Sequence, residues 1–263
     1  MRILTCLLLI CVLAACGGGT DQREVFRDDF DGPVLDTAPG TGRWRHETGP
    51  PERWGTGEIE TMTDSPANVA LDGKGHLAIT PRLEDGRWTS GRVRTRRADF
   101  AVPPGGTLRV EARLALPAVS PADGAGYWPA FWMLGGETGW PAVGEIDIME
   151  AVNGRPSVTG AMHCGTMPGG PCQEPKGLVT PEQPCPGCHG SFHTYAVEVT
   201  ERSTTWLLDG RPYFTLDRSL PRGFFVILNV AVGGGLPGPP NAATVPGRPM
   251  LVDYVSVTTL RVA

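Results

Sequence analysis

The segment TLRVEARLAL (Thr107–Leu116) alternates apolar and charged side chains over most of its length. In an extended chain, successive side chains point to opposite faces. One face would therefore carry Leu108, Val110, Ala112 and Leu114, and the other Arg109, Glu111 and Arg113. This period of two predicts a β-strand with one face in a hydrophobic core and the other face in solvent.

Segments of the same kind recur along the chain, each bounded by Gly, Pro, Asp or Asn. The segments His193–Thr200 and Thr204–Leu216 predict successive antiparallel strands with a hairpin at LDGRP (Leu208–Pro212). No stretch of a dozen residues combines a helical period with capping residues. The sequence therefore predicts an all-β domain in which two antiparallel sheets pack as a β-sandwich.

The first sixteen residues, MRILTCLLLICVLAAC, contain one cation and an apolar run that is too short to span a membrane as a helix. The ending LAAC resembles the bacterial lipoprotein cleavage box, in which the cysteine, here Cys16, becomes the lipid-bearing N-terminus. We expect residues 1–15 to be a lipoprotein-type signal peptide, residues 16–24 a flexible tether and residues 25–263 one domain. The protein would be exported and held to a membrane only through Cys16, facing the periplasm or the exterior; simple secretion is the alternative.

Charge and composition narrow the class of protein further. The formal net charge is −5 and the chain has no basic runs, so nucleic acid is not an expected partner. Glycine (36 residues) and proline (26 residues) make up almost a quarter of the chain, which indicates many turns and few helices. Hydrophobic residues account for 40% of the sequence, enough for a sizeable core.

Four cysteines remain after the signal region, and they cluster within 25 residues: Cys164, Cys172, Cys185 and Cys188. In an exported protein, an even and local set of cysteines predicts two disulfides that stabilise a long loop. Pairing each cysteine with its neighbour in the sequence is the simplest arrangement, but spacing alone does not settle the connectivity. Nearby histidines leave a zinc site as the alternative.

The stretch GEIDIME (Gly144–Glu150) places three carboxylates in otherwise apolar, strand-forming sequence. A regular strand would put Glu145 and Asp147 on one face and Glu150 on the opposite face. A β-bulge at Ile148–Met149 inserts one extra residue and returns Glu150 to the face of the other two carboxylates. We therefore predict a bulge at this position.

With the bulge, the Cα atoms of Glu145 and Glu150 would lie roughly 13 Å apart. Two glutamate side chains that lean toward each other would then bring their carboxyl groups to roughly 5 Å, the separation that retaining glycosidases use. Asp147 lies between them, where it would tune their protonation. An acidic solvent-facing strand and a Ca²⁺ site are the alternatives, although calcium prefers ligands on a flexible loop.

Aromatic residues directly precede the acidic strand, in GYWPAFWMLGGETGWP (Gly126–Pro141). Exposed indole rings stack on the apolar faces of sugars, whereas buried ones belong to the core. Trp128 and Trp132 share a face if the segment is a strand. We expect Trp128 and Trp140 to line a cleft and Trp132 to be half-buried beneath it.

The sequence WPAFWML…WPAVGEIDIMEAVNG is similar to the catalytic signature of glycoside hydrolase family 16, in the laminarinase branch with a bulged E-x-D-x-x-E strand. The similarity extends over most of the mature chain, from FRDDFDG at Phe26 to MLVDYVSV at Met250. It implies a jelly roll of two antiparallel sheets with an open substrate cleft on the concave face. It also implies that Glu145 is the nucleophile, Asp147 its supporting partner and Glu150 the general acid/base.

The same resemblance implies further site residues. His163 would lie near the acid/base and Asn229 on a strand that lines the cleft, while Glu58 and Arg92 would contact substrate. Each of these four residues has a purely structural role as its alternative. No cofactor is required by the resemblance; a structural Ca²⁺ near Asp29 and Asp253 is the open alternative.

We therefore expect a monomeric retaining endo-glycosidase that hydrolyses internal β-1,3 linkages of glucans such as laminarin, including mixed β-1,3/1,4-glucans. The partner would be a β-linked polysaccharide. The alternatives are an endo-β-1,3-galactanase and a carbohydrate-binding lipoprotein that has lost catalysis; a transglycosylase is a further one, because another sugar can take the place of water. The intact carboxylate set, Glu145, Asp147 and Glu150, argues against the binding-only alternative.

Overall fold

A computed structural model of the protein describes residues 20–262. The predicted signal peptide and Cys16 lie outside these residues. Within the described part, the chain forms nineteen β-strands and one short 3₁₀ turn at Pro51–Arg53, and it contains no α-helix. No helix in this part of the chain has the length and apolar character needed to cross a membrane.

Eight strands form the first sheet, called sheet A here. Numbered along the chain and taken in spatial order, seven of them are β17 (Arg211–Leu216), β16 (Thr204–Leu208), β15 (Phe192–Val199), β9 (Gly106–Ala115), β19 (Met250–Val262), β5 (Leu77–Ile79) and β4 (Val69–Leu71). The eighth strand, β1 (Thr20–Asp28), pairs with β19 beyond the end of β5. Every pairing in sheet A is antiparallel.

Eight more strands form sheet B, also antiparallel throughout. Seven of them, in spatial order, are β13 (Leu178–Val179), β12 (Ser157–His163), β11 (Glu145–Glu150), β10 (Tyr127–Leu134), β18 (Phe225–Val232), β8 (Arg92–Thr95) and β2 (Trp44–His46), and β14 (Gln183–Pro184) pairs with β12. A small third sheet consists of β3 (Thr61–Met62), β7 (Arg87–Ser90) and β6 (Arg82–Glu84). The predicted all-β architecture with two large antiparallel sheets is confirmed.

The inner faces of sheets A and B meet in one hydrophobic core. The four apolar residues of β9 predicted to share a face, Leu108 to Leu114, are all buried in it, as are Phe131, Met133 and Ile146 of sheet B. On the outer face of sheet A, Arg109 of β9 pairs with Glu111 on its own strand and Glu198 on β15. The alternation of TLRVEARLAL therefore separates the core from a charged surface.

The hairpin predicted at LDGRP joins β16 to β17. Asp209 and Gly210 both have positive φ angles, of 50° and 71°. A two-residue turn of this type requires positive φ at both positions, and its twist matches that of the flanking strands. The Asp209 carboxylate also accepts hydrogen bonds from the Thr194 backbone N–H and from His193.

The structure differs from the sequence prediction at the N-terminus of the domain. Residues 20–24, expected to belong to a flexible tether, form the first half of β1 and pair with residues 258–262 of β19. These residues have no apolar alternation that would indicate a strand. Backbone hydrogen bonds to the edge of β19 hold them, and such bonds do not depend on side-chain type.

The two disulfides join neighbouring cysteines, Cys164 to Cys172 and Cys185 to Cys188, as predicted. All four cysteines are buried and contact the hydrophobic core. Cys164 directly follows β12, so the first disulfide attaches the long loop to the end of that strand.

The predicted bulge at Ile148–Met149 is present in β11. Asp147 lies opposite Ala161 of β12 and Glu150 lies opposite Thr159, so two residues of β11 face the single residue Gly160. Gly160 leaves room for the indole of Trp206 from sheet A, whose Nε1 donates a 2.8 Å hydrogen bond to the carbonyl oxygen of Asp147. Trp206 is fully buried, so this bond connects the two sheets behind the bulge.

We predict that Gly160→Ala destabilises the protein by about 1–3 kcal/mol, the usual cost of overpacking a core. An added Cβ would lie 2.7 Å from the carbonyl oxygen of Asp147 and would also overlap the Trp206 indole. Urea unfolding measures the change. Gly235→Ala is the control, because its nearest new contact would be at 3.6 Å. Equal stability of the two variants would contradict the proposed packing.

Candidate active site

The three carboxylates of β11 lie on the outer face of sheet B. Glu145, Asp147 and Glu150 lie opposite His163, Ala161 and Thr159 of β12, and opposite Leu134, Trp132 and Ala130 of β10. On each of these two neighbouring strands, the three partner residues are two positions apart, so they lie on one face of the strand. The bulge therefore gathers Glu145, Asp147 and Glu150 on the face that carries Trp132 and His163.

Two tryptophans of β10 place hydrogen-bond donors on this face. Trp128 is half-buried, and its Nε1 donates a 2.8 Å hydrogen bond to Oε1 of Glu150. Trp132 is also half-buried, and its Nε1 donates a 2.7 Å hydrogen bond to Oδ1 of Asn229 on β18. Trp140, with 41% of its surface exposed, lies outside the strand in the preceding loop. Two of the rings thus make a hydrogen bond through the indole N–H and the third is exposed, and all three have apolar ring faces on which a sugar can stack.

Burial raises the pKa of all three carboxyl groups. The pKa of Glu145 rises to about 7, with a further increase from the charge of Glu150 and an opposing effect of His163, Arg92 and the Trp140 indole. Burial also raises the pKa of Asp147 well above its ordinary value, and the charges of Glu145, Glu150 and Glu174 add to that increase. Raised pKa values favour the protonated form of these groups, and proton transfer to a leaving group requires one protonated carboxyl.

Burial raises the pKa of Glu150 as well, whereas the Trp128 hydrogen bond and His163 act in the opposite direction. The ionised form of Glu145 is favoured by three neighbours, His163, Arg92 and Trp140. His163 thus favours the ionised form of both glutamates, while Arg92 and Trp140 act on Glu145 and Trp128 acts on Glu150, so the two carboxyl groups have different surroundings.

His163 packs against the carboxylates from β12. Its Nε2 lies 3.6 Å from Oδ2 of Asp147. Its Nδ1 lies 2.8 Å from Oε2 of Glu174, in the segment 164–190 that contains both disulfides and is called the disulfide loop here. The Trp140 ring lies over the imidazole with the ring centroids 5.6 Å apart. Ligand atoms of Glu145, Asp147 and His163 lie within 4.8 Å of one another, close enough to hold a metal ion.

A second cluster lies further across the outer face of sheet B. Glu150, Ala130, Asn229 and Arg92 form one row across β11, β10, β18 and β8. The Arg92 guanidinium lies between two indoles, 4.7 Å from the Trp132 ring centroid and 4.8 Å from that of Trp54. A 2.7 Å hydrogen bond from its Nε to Glu47 fixes the side chain. Arg92 and Asn229 are thus connected to the carboxylates through Trp132.

Glu58 lies at the end of sheet B, where it bridges to Gly233. Its side chain is buried, and Oε2 has no hydrogen-bond partner among the described residues. Glu60, two residues later, is fully buried; its Oε2 accepts a 2.8 Å hydrogen bond from the Val232 N–H, and burial raises its pKa to about 8. The Glu58 carboxylate oxygen is thus enclosed by protein atoms, and its role as a substrate contact stays a prediction.

The residues considered for metal binding have partners in the structure. Asp29 accepts hydrogen bonds from Arg27, and Asp253 accepts one of 2.7 Å from Arg113. Calcium at these two carboxylates stays a prediction. In the alternative zinc site, His193 approaches the sulfurs of Cys185 and Cys188, but these sulfurs are bonded to each other, and zinc binds thiolates.

Sequence reasoning missed three residues of this site: Glu174, Trp54 and Glu47. Glu47 and Trp54 hold Arg92, and Glu174 holds His163. Glu47 lies 45 residues before Arg92 and Trp54 is also distant from it in sequence, whereas Glu174 lies only 11 residues after His163. The one available signal was the position of Glu174 two residues after Cys172, in a loop that the cysteines mark as ordered.

Comparisons with known proteins agree with this geometry. Residues 117–179, which contain the acidic strand and His163, match the family model described as XgeA-like, catalytic GH16 domain. The chain is 31% identical to a beta-glucanase of Rhodothermus marinus, over 95% of this chain and 92% of the relative. It is 30% identical to glucan endo-1,3-beta-glucosidase A1 of Niallia circulans, over 89% of this chain but only 37% of that longer protein.

Among solved structures, an endo-1,3-beta-glucanase from Streptomyces sioyaensis is similar over nearly the whole chain. The TM-score is 0.84 and the identity 46%, with 95% of this chain and 99% of the other covered. The likeness therefore includes both sheets and the outer face of sheet B that carries the carboxylates.

We predict that Glu60→Gln stabilises the protein increasingly as the pH rises. Between the ordinary glutamate pKa and about 8, the folded state keeps a proton that the unfolded state releases, so wild-type stability falls by up to about 1.4 kcal/mol per pH unit. Glutamine does not ionise, so this decrease is absent in the variant. Urea unfolding at pH 5, 6.5, 8 and 9 measures the difference.

Glu84→Gln is the control for this series, because the Glu84 side chain is 67% exposed. The stability gain of Glu60→Gln over wild type should grow from pH 5 to pH 8 and then level off. A gain or loss of the same size at every pH would show that burial does not hold a proton on Glu60.

Proposed function

Because the chain belongs to glycoside hydrolase family 16, we propose that it hydrolyses internal β-1,3 linkages of glucans with retention at the anomeric carbon. Laminarin-like chains and mixed β-1,3/1,4-glucans are the proposed substrates. The relatives named above are glucanases by their names, which supports a glucan in preference to a galactan.

The observation that carries the proposal is the register of β11 across the bulge. Without the extra residue, Glu150 would point into the core between the sheets, away from Glu145. With it, two carboxyl groups with raised pKa values share one face beside indole rings. A retaining glycosidase needs this pairing of a proton donor and a nucleophile.

In the proposed reaction, Glu150 donates its proton to the glycosidic oxygen while a carboxylate oxygen of Glu145 attacks the anomeric carbon. The bond to the leaving sugar breaks and a covalent glycosyl-enzyme forms. Glu150, now ionised, then takes a proton from water, whose oxygen attacks the same carbon and releases Glu145. Two inversions give net retention, and both carboxyl groups return to their starting protonation states.

The aromatic residues support binding of a polysaccharide chain along the outer face of sheet B. Trp128, Trp132 and Trp140 offer ring surfaces next to the carboxylates, and Asn229 offers an amide group for sugar hydroxyls. Arg92 would both donate to hydroxyl groups and hold the Trp132 ring in place. Stacking and hydrogen bonding together orient a sugar ring.

We predict that Glu145→Gln abolishes hydrolysis of laminarin and that Glu150→Gln slows it strongly, while binding is retained in both variants. Replacing the acid/base should cost on the order of 10²–10⁴ in kcat, and replacing the nucleophile removes the covalent step altogether. Reducing-sugar release from laminarin, lichenan and a β-1,3-galactan measures activity, and NMR of the first product reports its anomeric configuration.

The control for both variants is Glu84→Gln, an identical change at an exposed site on the small third sheet. Inversion at the anomeric carbon would contradict the two-step mechanism, and full activity of Glu145→Gln would contradict the assignment of the nucleophile. Cleavage of galactan alone would favour the galactanase alternative. Binding without cleavage of any β-glycan would favour the carbohydrate-binding alternative.

We also propose that the protein is an exported lipoprotein attached to a membrane through Cys16. The support is the apolar run followed by LAAC at the N-terminus and the presence of two disulfides in the domain. A lipid on Cys16 would place the hydrolase where it meets extracellular polysaccharide.

We predict that Cys16→Ser moves the protein from the membrane fraction to the soluble fraction when it is expressed in a bacterial host. Labelling with a radioactive fatty acid should mark the wild type and leave the variant unlabelled. Cys11→Ser, a change within the predicted signal peptide, is the control and should not alter labelling. A soluble, unlabelled wild type would favour simple secretion.

A further inference from the structure

We propose that Glu174 is a positioning residue that fixes the tautomer of His163 and thereby keeps one proton either on Nε2 of His163 or on Asp147. The inference rests on the proposed glycosidase function, because it concerns how the same site controls its protons. Glu174 does not reach the outer face of sheet B itself; it acts through the imidazole.

The Glu174 carboxylate is buried, and both of its oxygens have a defined partner. Oε1 accepts a 2.8 Å hydrogen bond from the backbone N–H of Cys164, and Oε2 lies 2.8 Å from Nδ1 of His163. The backbone of Glu174 exchanges two hydrogen bonds with Gly169, of 2.6 and 2.7 Å. A buried carboxylate held in this way has a fixed orientation.

This arrangement determines which nitrogen of His163 carries a proton. A carboxylate only accepts hydrogen bonds, so Nδ1 must be the donor toward Glu174. Nε2 then faces Oδ2 of Asp147 at 3.6 Å. If both Nε2 and Asp147 lacked a proton, a lone pair would face a carboxylate in a buried site, which is unfavourable. One proton therefore lies on either Nε2 or Asp147.

The imidazole has no room to rotate out of this position. The Trp140 ring covers one side, with the ring centroids 5.6 Å apart. Gly177, at a φ angle of 74°, approaches so closely that an added Cβ would lie 2.8 Å from Nδ1. Two segments of the chain therefore hold His163: the loop before β11, which carries Trp140, and residues 174–177.

The charged groups around His163 come from three elements. Glu145, Asp147 and Glu150 approach from β11, and Glu174 from the disulfide loop; Arg92 of β8 acts on Glu145 from the other side. A proton on the His163–Asp147 pair reduces the negative charge next to Glu145. Glu145 therefore ionises more readily than burial alone would allow, as a nucleophile requires.

Glu174→Gln tests the proposal with little change in shape. In the variant, the amide oxygen can accept the hydrogen bond from the Cys164 N–H, and the amide NH₂ group then faces Nδ1 of His163. Nδ1 must lose its proton in order to accept a hydrogen bond from this NH₂ group. We expect the ¹⁵N NMR shifts of His163 to show a protonated Nδ1 in the wild type and an unprotonated Nδ1 in the variant. We expect kcat to fall on the order of 10–100-fold, by analogy with second-shell partners of metal-binding histidines, with KM nearly unchanged.

The pH dependence of kcat/KM provides a second test, because a loss of folding stability alone would not shift it. The acidic limb of kcat/KM should shift to higher pH in Glu174→Gln, because Glu145 then ionises less readily. Glu182→Gln, a matched change in the same long loop, should leave both the profile and the NMR shifts unchanged; its side chain contacts Arg155 and Ser157 instead. His163→Gln and the double variant with Glu174→Gln should have nearly equal activity, since Glu174 contacts the site through His163 and otherwise acts on Asp147 only by its charge.

Three results would overturn the proposal: an unprotonated Nδ1 in the wild type, a wild-type pH profile in Glu174→Gln, or additive losses in the double variant. The wild-type NMR measurement decides the question even if Glu174→Gln fails to fold. If the wild type cleaves no β-glucan, the proposed function fails, and the tautomer of His163 still tests the role of Glu174 separately.

Discussion

The hydrogen bond from the Trp206 indole to the carbonyl oxygen of Asp147 is the contact on which the rest of the site depends. It reaches from sheet A through the core to the back of the bulge, and Gly160 provides the space for it. A bulge leaves backbone groups without regular ladder partners, and this bond supplies one of them. The core thus stabilises the irregular strand geometry that turns Glu150 toward Glu145.

This geometry also has an electrostatic cost. Three carboxyl groups within one half-buried patch repel one another and lose hydration, which is why burial and mutual charge raise their pKa values. The surrounding groups offset part of this cost unequally: the Trp128 indole donates a hydrogen bond to Glu150, Arg92 favours ionisation of Glu145, and His163 favours ionisation of both glutamates. The inequality is useful, because a retaining hydrolase needs one carboxyl protonated and another ionised.

The local sequence pattern was sufficient to predict much of the fold. The alternation of Leu108 to Leu114 predicted a half-buried strand, and the three-residue step from Asp147 to Glu150 predicted the bulge, because each depends on the period of one strand. The N-terminal pairing at residues 20–24 and the contacts of Glu174 and Trp54 were not predictable in this way. They depend on which distant segments meet after folding, and a polar segment that pairs only through its backbone has no hydrophobic period.

In the disulfide loop, a feature that the local sequence predicts, the disulfide, supports a contact that the sequence did not predict, that of Glu174 with His163. The Cys164–Cys172 bond ties the start of the loop to the end of β12, one residue after His163. Such a crosslink reduces the conformational freedom of the unfolded chain, so ordering the short segment that follows costs less entropy. Glu174 lies in that segment, two residues after Cys172, and its burial places a carboxylate against an imidazole beside the nucleophile. In an oxidising compartment, the loop therefore acts as a rigid support for the histidine, and the cysteines belong to the construction of the active site as well as to the stability of the fold.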